Sequence, residues 1–161
     1  MKICKLTQSC KQGNDQIKSY VLPSGQVPVQ ESTAGKTTAL RCCGGEQGLF
    51  LSHGANWLFL QSGNLGAGEL WCITQTTITD FCTIQCIGAE KGLSLTHVEG
   101  HLRLTCSNHG DLNQMWYVEE KQDGYTICCY SGASWMYLSH AKGEVFLQWA
   151  FLGDGELWQF D

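Results

Sequence analysis

Proline is nearly absent from this chain: it occurs at 23 and 28 and not again. Proline removes a ladder donor, so every later segment is free to pair as a strand. Long apolar runs are missing too, and nothing approaches the ~20 residues that a membrane helix needs. The N-terminus, MKICKLTQSCKQGND, has no apolar core of a secretory signal, so a cytoplasmic chain without a transmembrane segment is expected. Helical periodicity is essentially missing. Catalytic signatures are as scarce: there is no Gly-rich phosphate loop, nucleophile elbow or HExxH motif. Glu119 and Glu120 point to opposite faces of a strand or lie in a polar loop with Lys121 and Asp123. A protein that is not an enzyme, with no cofactor and no bound metal, is the expectation.

Positive charge is scarce after the first quarter. Residues 1–36 hold Lys2, Lys5, Lys11, Lys18 and Lys36 against Asp15 and Glu31, a net +3, while the remainder is a net −8. Affinity for nucleic acid comes mainly from phosphate neutralisation, so this acidic body argues against a nucleic-acid partner. The basic segment either binds something acidic or lies along the acidic body.

Cysteine, by contrast, is abundant, with ten in 161 residues. The adjacent pairs Cys42-Cys43 and Cys128-Cys129 are awkward to bridge and sit in apolar, strand-like runs. Reduced, buried cysteines acting as small hydrophobes are expected. Cys82 and Cys86 would lie about 13 Å apart on a strand, too far for one zinc. Cys4 and Cys10 are the expected reactive thiols.

The chain also repeats itself. Three segments begin LRCCGGEQGLFLSH (40–53), TIQCIGAEKGLSLTH (83–97) and TICCYSGASWMYLSH (126–140). They close on GELWCI (68–73), GDLNQMWYV (110–118) and GELWQF (155–160), with Trp71, Trp116 and Trp158 in matching places. Cys43, Cys86 and Cys129 are read as equivalent, 43 residues apart. Within each copy apolar residues alternate, the mark of a half-buried strand. Leu58 and Leu60 share one face and Trp57 and Phe59 the other. Leu102 and Leu104 oppose His101, Arg103 and Thr105, and Val145, Leu147 and Trp149 oppose Glu144, Phe146 and Gln148.

The pattern predicts four strands per copy: 39–43, 48–52, 57–61 and 70–74; 82–86, 92–96, 101–106 and 115–119; 125–130, 135–139, 144–149 and 157–160. Twelve strands in three such copies describe an all-β fold, the β-trefoil, with pseudo-threefold symmetry. Six strands close a barrel and three hairpins cap it, because one copy cannot bury its apolar face alone. Leu51, Leu95 and Leu138 should form one core layer and the three tryptophans another. The domain spans 37–161, in copies of about 37–78, 79–122 and 123–161. An N-terminal extension, 1–36, precedes it, partly flexible or strapped on the barrel through YVLPSGQVPV (20–29).

GDLNQMWYV resembles the closing strand of a ricin-B-type lectin repeat, whose signature is Gln-x-Trp after a glycine-rich loop and an Asn. GELWCI and GELWQF are similar, with Glu69 and Glu156 in the Gln place. The FLS and YLS stretches also resemble the β-trefoils of fascin-like actin-bundling proteins. The lectin resemblance implies a shallow sugar pocket on each copy, built from an acid after the second strand, an aromatic on the third and an Asn before Gln-x-Trp. Matched position by position, the acid place falls at Ser52-His53, Thr96-His97 and Ser139-His140. The aromatic place falls at Phe59, Arg103 and Phe146, and the amide place at Gly68, Asn113 and Gly155. No copy is complete.

The resulting candidate ligand-binding residues are His97, Arg103, Asn113 and Gln114 in the second copy. Ser139, His140, Phe146 and Glu156 are the candidates in the third, and Ser52, His53, Phe59 and Glu69 in the first. A glycan or glycoprotein is the implied partner. The alternative is a protein partner, met through Trp57, Phe59 and Phe146, as in a fascin-like cytoskeletal adaptor or a cytokine-like ligand. Two readings of the histidines stand open: donors on a pH-sensitive surface, or supports that brace each hairpin turn by side-chain-to-backbone bonds. Gln114 likewise either meets ligand or bonds to backbone beside Trp116.

Overall fold

The computed structural model describes residues 35–161, except 56, 64, 65, 79, 109 and 133. The expected extension, with its segment 20–29 and with Cys4 and Cys10, lies outside the described residues save for its last two positions. The described chain is all-β. Twelve strands run in order: β1 (Lys36–Cys42), β2 (Leu49–Gly54), β3 (Trp57–Ser62), β4 (Leu70–Gln75), β5 (Phe81–Cys86) and β6 (Leu93–Val98). Then come β7 (His101–Cys106), β8 (Trp116–Lys121), β9 (Gly124–Tyr130), β10 (Trp135–Ala141), β11 (Glu144–Gln148) and β12 (Trp158–Phe160). A short 3-10 turn precedes each of β4, β8 and β12. Among the described residues no helix is long and apolar enough to cross a membrane.

Strands β1, β4, β5, β8, β9 and β12 pair in a closed antiparallel ring, β12 returning to β1. Closure leaves this ring no free edge. The remaining strands form hairpins β2–β3, β6–β7 and β10–β11, and β3, β7 and β11 pack against one another. The hairpins share one turn length. Gly54 pairs with Trp57, Val98 with His101 and Ala141 with Glu144, so each turn has two central residues. Ala55, Glu99, Gly100, Lys142 and Gly143 in those turns have φ between 49° and 80°. Two such residues match the right-handed twist of the strands they join.

Alternation explains what fills the barrel. Leu40, Ile84 and Ile127, then Leu51, Leu95 and Leu138, then Trp71, Trp116 and Trp158 are all fully buried. Each indole Nε1–H donates 2.9 Å to a backbone carbonyl, of Leu51, Leu95 and Leu138 respectively. Burying a tryptophan contributes about 4–6 kcal/mol of hydrophobic free energy before entropy is counted. The bonded N–H removes what would otherwise offset that gain.

Two details differ from the sequence reading. Arg41, Gln85 and Cys128 pair with Phe50, Ser94 and Tyr137, which places Cys42 in register with Cys86 and Cys129. Cys43 lies one residue past the end of β1, its Sγ 3.7 Å from the Asp123 carbonyl. Burial pushes the thiols of Cys42, Cys86 and Cys129 up to about 12, so they stay protonated in the core. Trp149 does not face inward. β11 ends at Gln148, and the released ring is 62% exposed.

Candidate functional site

The hairpins and the loops beside them hold every candidate residue, and the structure divides those residues into two groups. Ser52, His53, Glu69, His97, Gln114, Ser139, His140 and Glu156 are buried. Phe59, Arg103, Asn113 and Phe146 are exposed. A ligand on the surface meets the second group.

The buried histidines lie under the hairpins, edge-on to the core tryptophans. Centroid distances are 4.7 Å for His53–Trp71, 5.5 Å for His97–Trp116 and 4.8 Å for His140–Trp158. His53 Nε2 meets the Leu70 carbonyl and His140 Nε2 the Leu157 carbonyl, each at 3.1 Å. Burial pushes His97 and His140 below the ordinary histidine range, against the upward pull of the Leu112 and Leu157 carbonyls. The hydroxyls of Ser52, Thr96 and Ser139 donate to the carbonyls of Phe50, Ser94 and Tyr137, at 3.1, 2.9 and 3.1 Å. His53 and His140 thus tie β2 and β10 to the chain entering β4 and β12, the hydroxyls bond within their own strands, and none of these side chains forms a solvent-facing surface.

Glu69, Gln114 and Glu156 tie the loop before β4, β8 and β12 to the hairpin strand. Gln61 donates to Glu69 and Gln148 to Glu156. Glu156 also accepts from the backbone N–H of Leu152 and Gly153, at 2.9 and 2.8 Å. Gln114 reverses the polarity. Its Nε2 donates to Thr105 Oγ1 and the Cys106 carbonyl, while its Oε1 accepts from the Asn108 N–H. An acid is therefore tolerated where the partner strand offers a Gln donor, and an amide where it offers a Thr acceptor.

The amide place has a steric reason for its glycines. A Cβ on Gly68 would lie 2.9 Å from the His53 carbonyl, and one on Gly155 3.0 Å from the His140 carbonyl. Asn113 occupies that place beside the second hairpin, where His97 Nε2 has no hydrogen-bond partner among the described residues.

The outer faces of the hairpins differ in chemistry. The first presents Phe50, Trp57 and Phe59, with Phe59 paired across to Ser52 and Trp57 74% exposed at the turn. The third presents Tyr137 and Phe146, and Phe151 from the β11–β12 loop lies 6.0 Å from Tyr137. The second is a hydroxyl ladder, with Ser94 bonded to Ser107 and Thr96 to Thr105, both at 2.7 Å, beneath Arg103 and His101. Tyr137 and Phe151 escaped the sequence reading because no family position marks them, although their period-2 spacing and aromatic type were visible.

Carboxylates do reach two hairpins, but from elsewhere in the chain. Glu90 Oε1 accepts from Ala55 N–H at 2.9 Å and its Oε2 lies 3.2 Å from His53 Nδ1. These contacts, the Ala55 N–H foremost, hold the Glu90 carboxyl below its ordinary range. Glu46 Oε1 accepts from Gly143 N–H at 3.3 Å. Both ring nitrogens of His53 thus lie within hydrogen-bond distance of an acceptor. Two clefts are also present, the second bordered by Leu157, whose carbonyl meets His140. One of about 560 Å³ runs between the β8–β9 turn and the C-terminal residues, and one of about 240 Å³ lies beside Arg41, Cys43 and Asp154.

No protein-family model matches the chain, and no curated protein sequence matches it. Solved structures do. An arabinofuranosidase complexed with arabinofuranosyl-alpha-1,2-xylobiose superposes at a TM-score of 0.66 with 11% identity, over 80% of this chain and 31% of the enzyme. SeviL bound to asialo-GM1 saccharide superposes at 0.64 with 16% identity, over 80% of this chain and 98% of SeviL. The Polyporus squamosus lectin, bound to a Neu5Aca2-6Galb1-4GlcNAc epitope, superposes at 0.62 with 12% identity, over 80% and 49%. The chain thus spans about a third of the arabinofuranosidase and nearly the whole of SeviL. At these identities the likeness shows the fold alone: the described chain is all-β and its twelve strands are consistent with a β-trefoil.

Proposed function

We propose that this chain is a non-catalytic β-trefoil lectin whose three four-stranded units, related by a pseudo-threefold axis, carry its glycan contacts on the outer hairpin faces. The observation that supports this most is the third hairpin. There Tyr137, Phe146 and Phe151 present ring surface beside Gln148, on a loop that buried Glu156 holds in place. A pyranose has an apolar C–H face and a rim of hydroxyls, and flat rings beside polar groups suit both. The first hairpin offers a second face through Phe59 and Trp57. Arg103 and Asn113 supply hydrogen bonds at the second, beside the single complete Gln-x-Trp, Gln114-Met115-Trp116. Ser52, His53, Glu69, His97, Gln114, Ser139, His140 and Glu156 act by holding the hairpin strands and the loops beside them, since their burial removes them from ligand. Fold kinship with saccharide-bound proteins adds to the case without naming a sugar. The buried thiols Cys42, Cys86, Cys128 and Cys129 fit a reducing, cytoplasmic setting.

A second reading draws on Trp57, Trp149 and Leu152, apolar side chains that stand well clear of the surface. Exposed aromatics of this kind mark protein contacts, as in an adaptor or a cytokine-like ligand. Binding to a glycoprotein panel, before and after enzymatic removal of the glycans, separates the two. Binding lost on deglycosylation and competed by free sugar is the expected result. Binding that survives deglycosylation and is lost in Trp57→Ala establishes the adaptor.

A further inference from the structure

Four rings from four strands meet beside the third hairpin, where β10 enters it. They are Phe81 on β5, Tyr117 on β8, Tyr130 at the end of β9 and Trp135 at the start of β10. Trp135 lies 6.2 Å from Phe81, nearly parallel at 14°, and 5.7 and 5.6 Å from Tyr117 and Tyr130. Tyr130 and Trp135 are 44% and 40% exposed. The rings belong to no core layer, and together they make an apolar face.

We infer that residues Tyr20–Val29 of the same chain dock on this face. The first argument is where the described chain begins. Gly35 sits against β4: a Cβ there would lie 2.3 Å from both Cys72 Sγ and Thr74 Oγ1. Thr74 pairs with Thr83, and two residues along β5 Phe81 pairs with Tyr117, which in turn pairs with Cys128. Ladder pairing therefore connects β4, beside Gly35, through β5, β8 and β9 to β10, where Trp135 pairs with Tyr130. Four strand spacings of ~4.8 Å make that path roughly 20 Å. Val29 stands six residues before Gly35 and Tyr20 fifteen, which extended chain turns into reaches of about 20 and 50 Å. The face lies within that span.

Composition is the second argument. YVLPSGQVPV is the only proline-containing part of the chain and is otherwise largely apolar. Proline-bearing extended segments dock on aromatic-lined surfaces, laying their flat rings on the aromatic ones, and their missing N–H groups leave fewer donors to satisfy. Charge is the third: residues 20–29 are uncharged, but Lys18 and Lys36 flank them within the +3 part of the chain, and the remainder is a net −8. Tethering makes the encounter intramolecular, so even a weak contact is populated.

The test is an NMR spectrum of the full chain with the ring protons of Pro23 and Pro28 assigned. Ring currents from Trp135 and its neighbours should move those protons upfield, with cross-peaks to the Trp135 ring that do not change on dilution. Trp135→Ser should return them to the positions of an unfolded peptide, while the indole N–H signals of Trp71, Trp116 and Trp158 stay in place. Should that variant disturb the barrel, Pro23→Ser with Pro28→Ser reads the contact from the other side, through a shift of the Trp135 indole signal. Proline protons at unfolded-peptide positions in the unaltered chain would overturn the inference. Upfield shifts that fade on dilution would also overturn it, and would assign the face to a second copy of the chain.

Discussion

His53, His97 and His140 sit where a sugar-binding family would place its acid, yet each is buried against a tryptophan. Burial gives the last two a measurable signature. Both are held below the ordinary histidine range, so the unfolded chain takes up protons that the folded chain refuses. Their contribution to stability is complete above the unfolded pKa of about 6.5 and is lost as pH falls from there toward the lower folded value. Glu90, whose carboxyl is depressed, contributes above its ordinary range and loses that contribution only at more acid pH. Thermal melts should therefore show a lower Tm at pH 5.5 than at pH 7.5, and His140→Gln should flatten that slope. A slope of the opposite sign would mean that these imidazoles are charged in the fold. The inward Leu and Trp of the repeats were legible at this scale from alternation, whereas Trp149 breaks the pattern because β11 ends before it, and the sequence leaves the burial of the histidines open. The Cys42–Cys43 pair was not legible, because adjacent residues of one type satisfy either phase of a period-2 pattern.

Strands were legible because their ends coincide with the turn residues, and most boundaries fall within two residues of those expected. The exchange of Gln, Thr and Glu between strand and loop was not, because it joins residues eight or nine apart across a turn. Glu156 pairs with Gln148, whereas Gln114 pairs with Thr105. Glu156→Gln alone would set two amide side chains against each other and weaken the bonds to Leu152 and Gly153. A loss of about 1–3 kcal/mol by chemical denaturation is expected. Adding Gln148→Thr reproduces the pairing of the second hairpin and should recover part of it, a favourable coupling in a double-mutant cycle. Additive losses would contradict the polarity-matching account. The carboxylates Glu90 and Glu46 were hidden for a related reason. Glu90 lies 35 residues from Ala55 and Glu46 lies 97 from Gly143, so only the folded chain brings each carboxylate to the turn it caps.

At the scale of the molecule, threefold repetition made the architecture readable while the differences between repeats obscured the site. A barrel closed by six strands holds three hairpins alike in backbone and unlike in surface: two aromatic, one hydroxylic and basic. The core is constrained equally at all three places, so it repeats. The outer faces carry no such constraint, and Tyr137 and Phe151 meet only in the folded chain. The central claim is that this outer aromatic face of β10–β11 binds glycan. It is tested most directly by applying the labelled full chain, kept in reductant, to a broad glycan array beside a Phe146→Ala/Phe151→Ala variant. Both rings are exposed, so the variant should keep its melting temperature. The account predicts saturable binding to a defined glycan class, reduced at least tenfold in the variant. Binding unchanged by the variant, or an array on which the unaltered chain is silent, would contradict it.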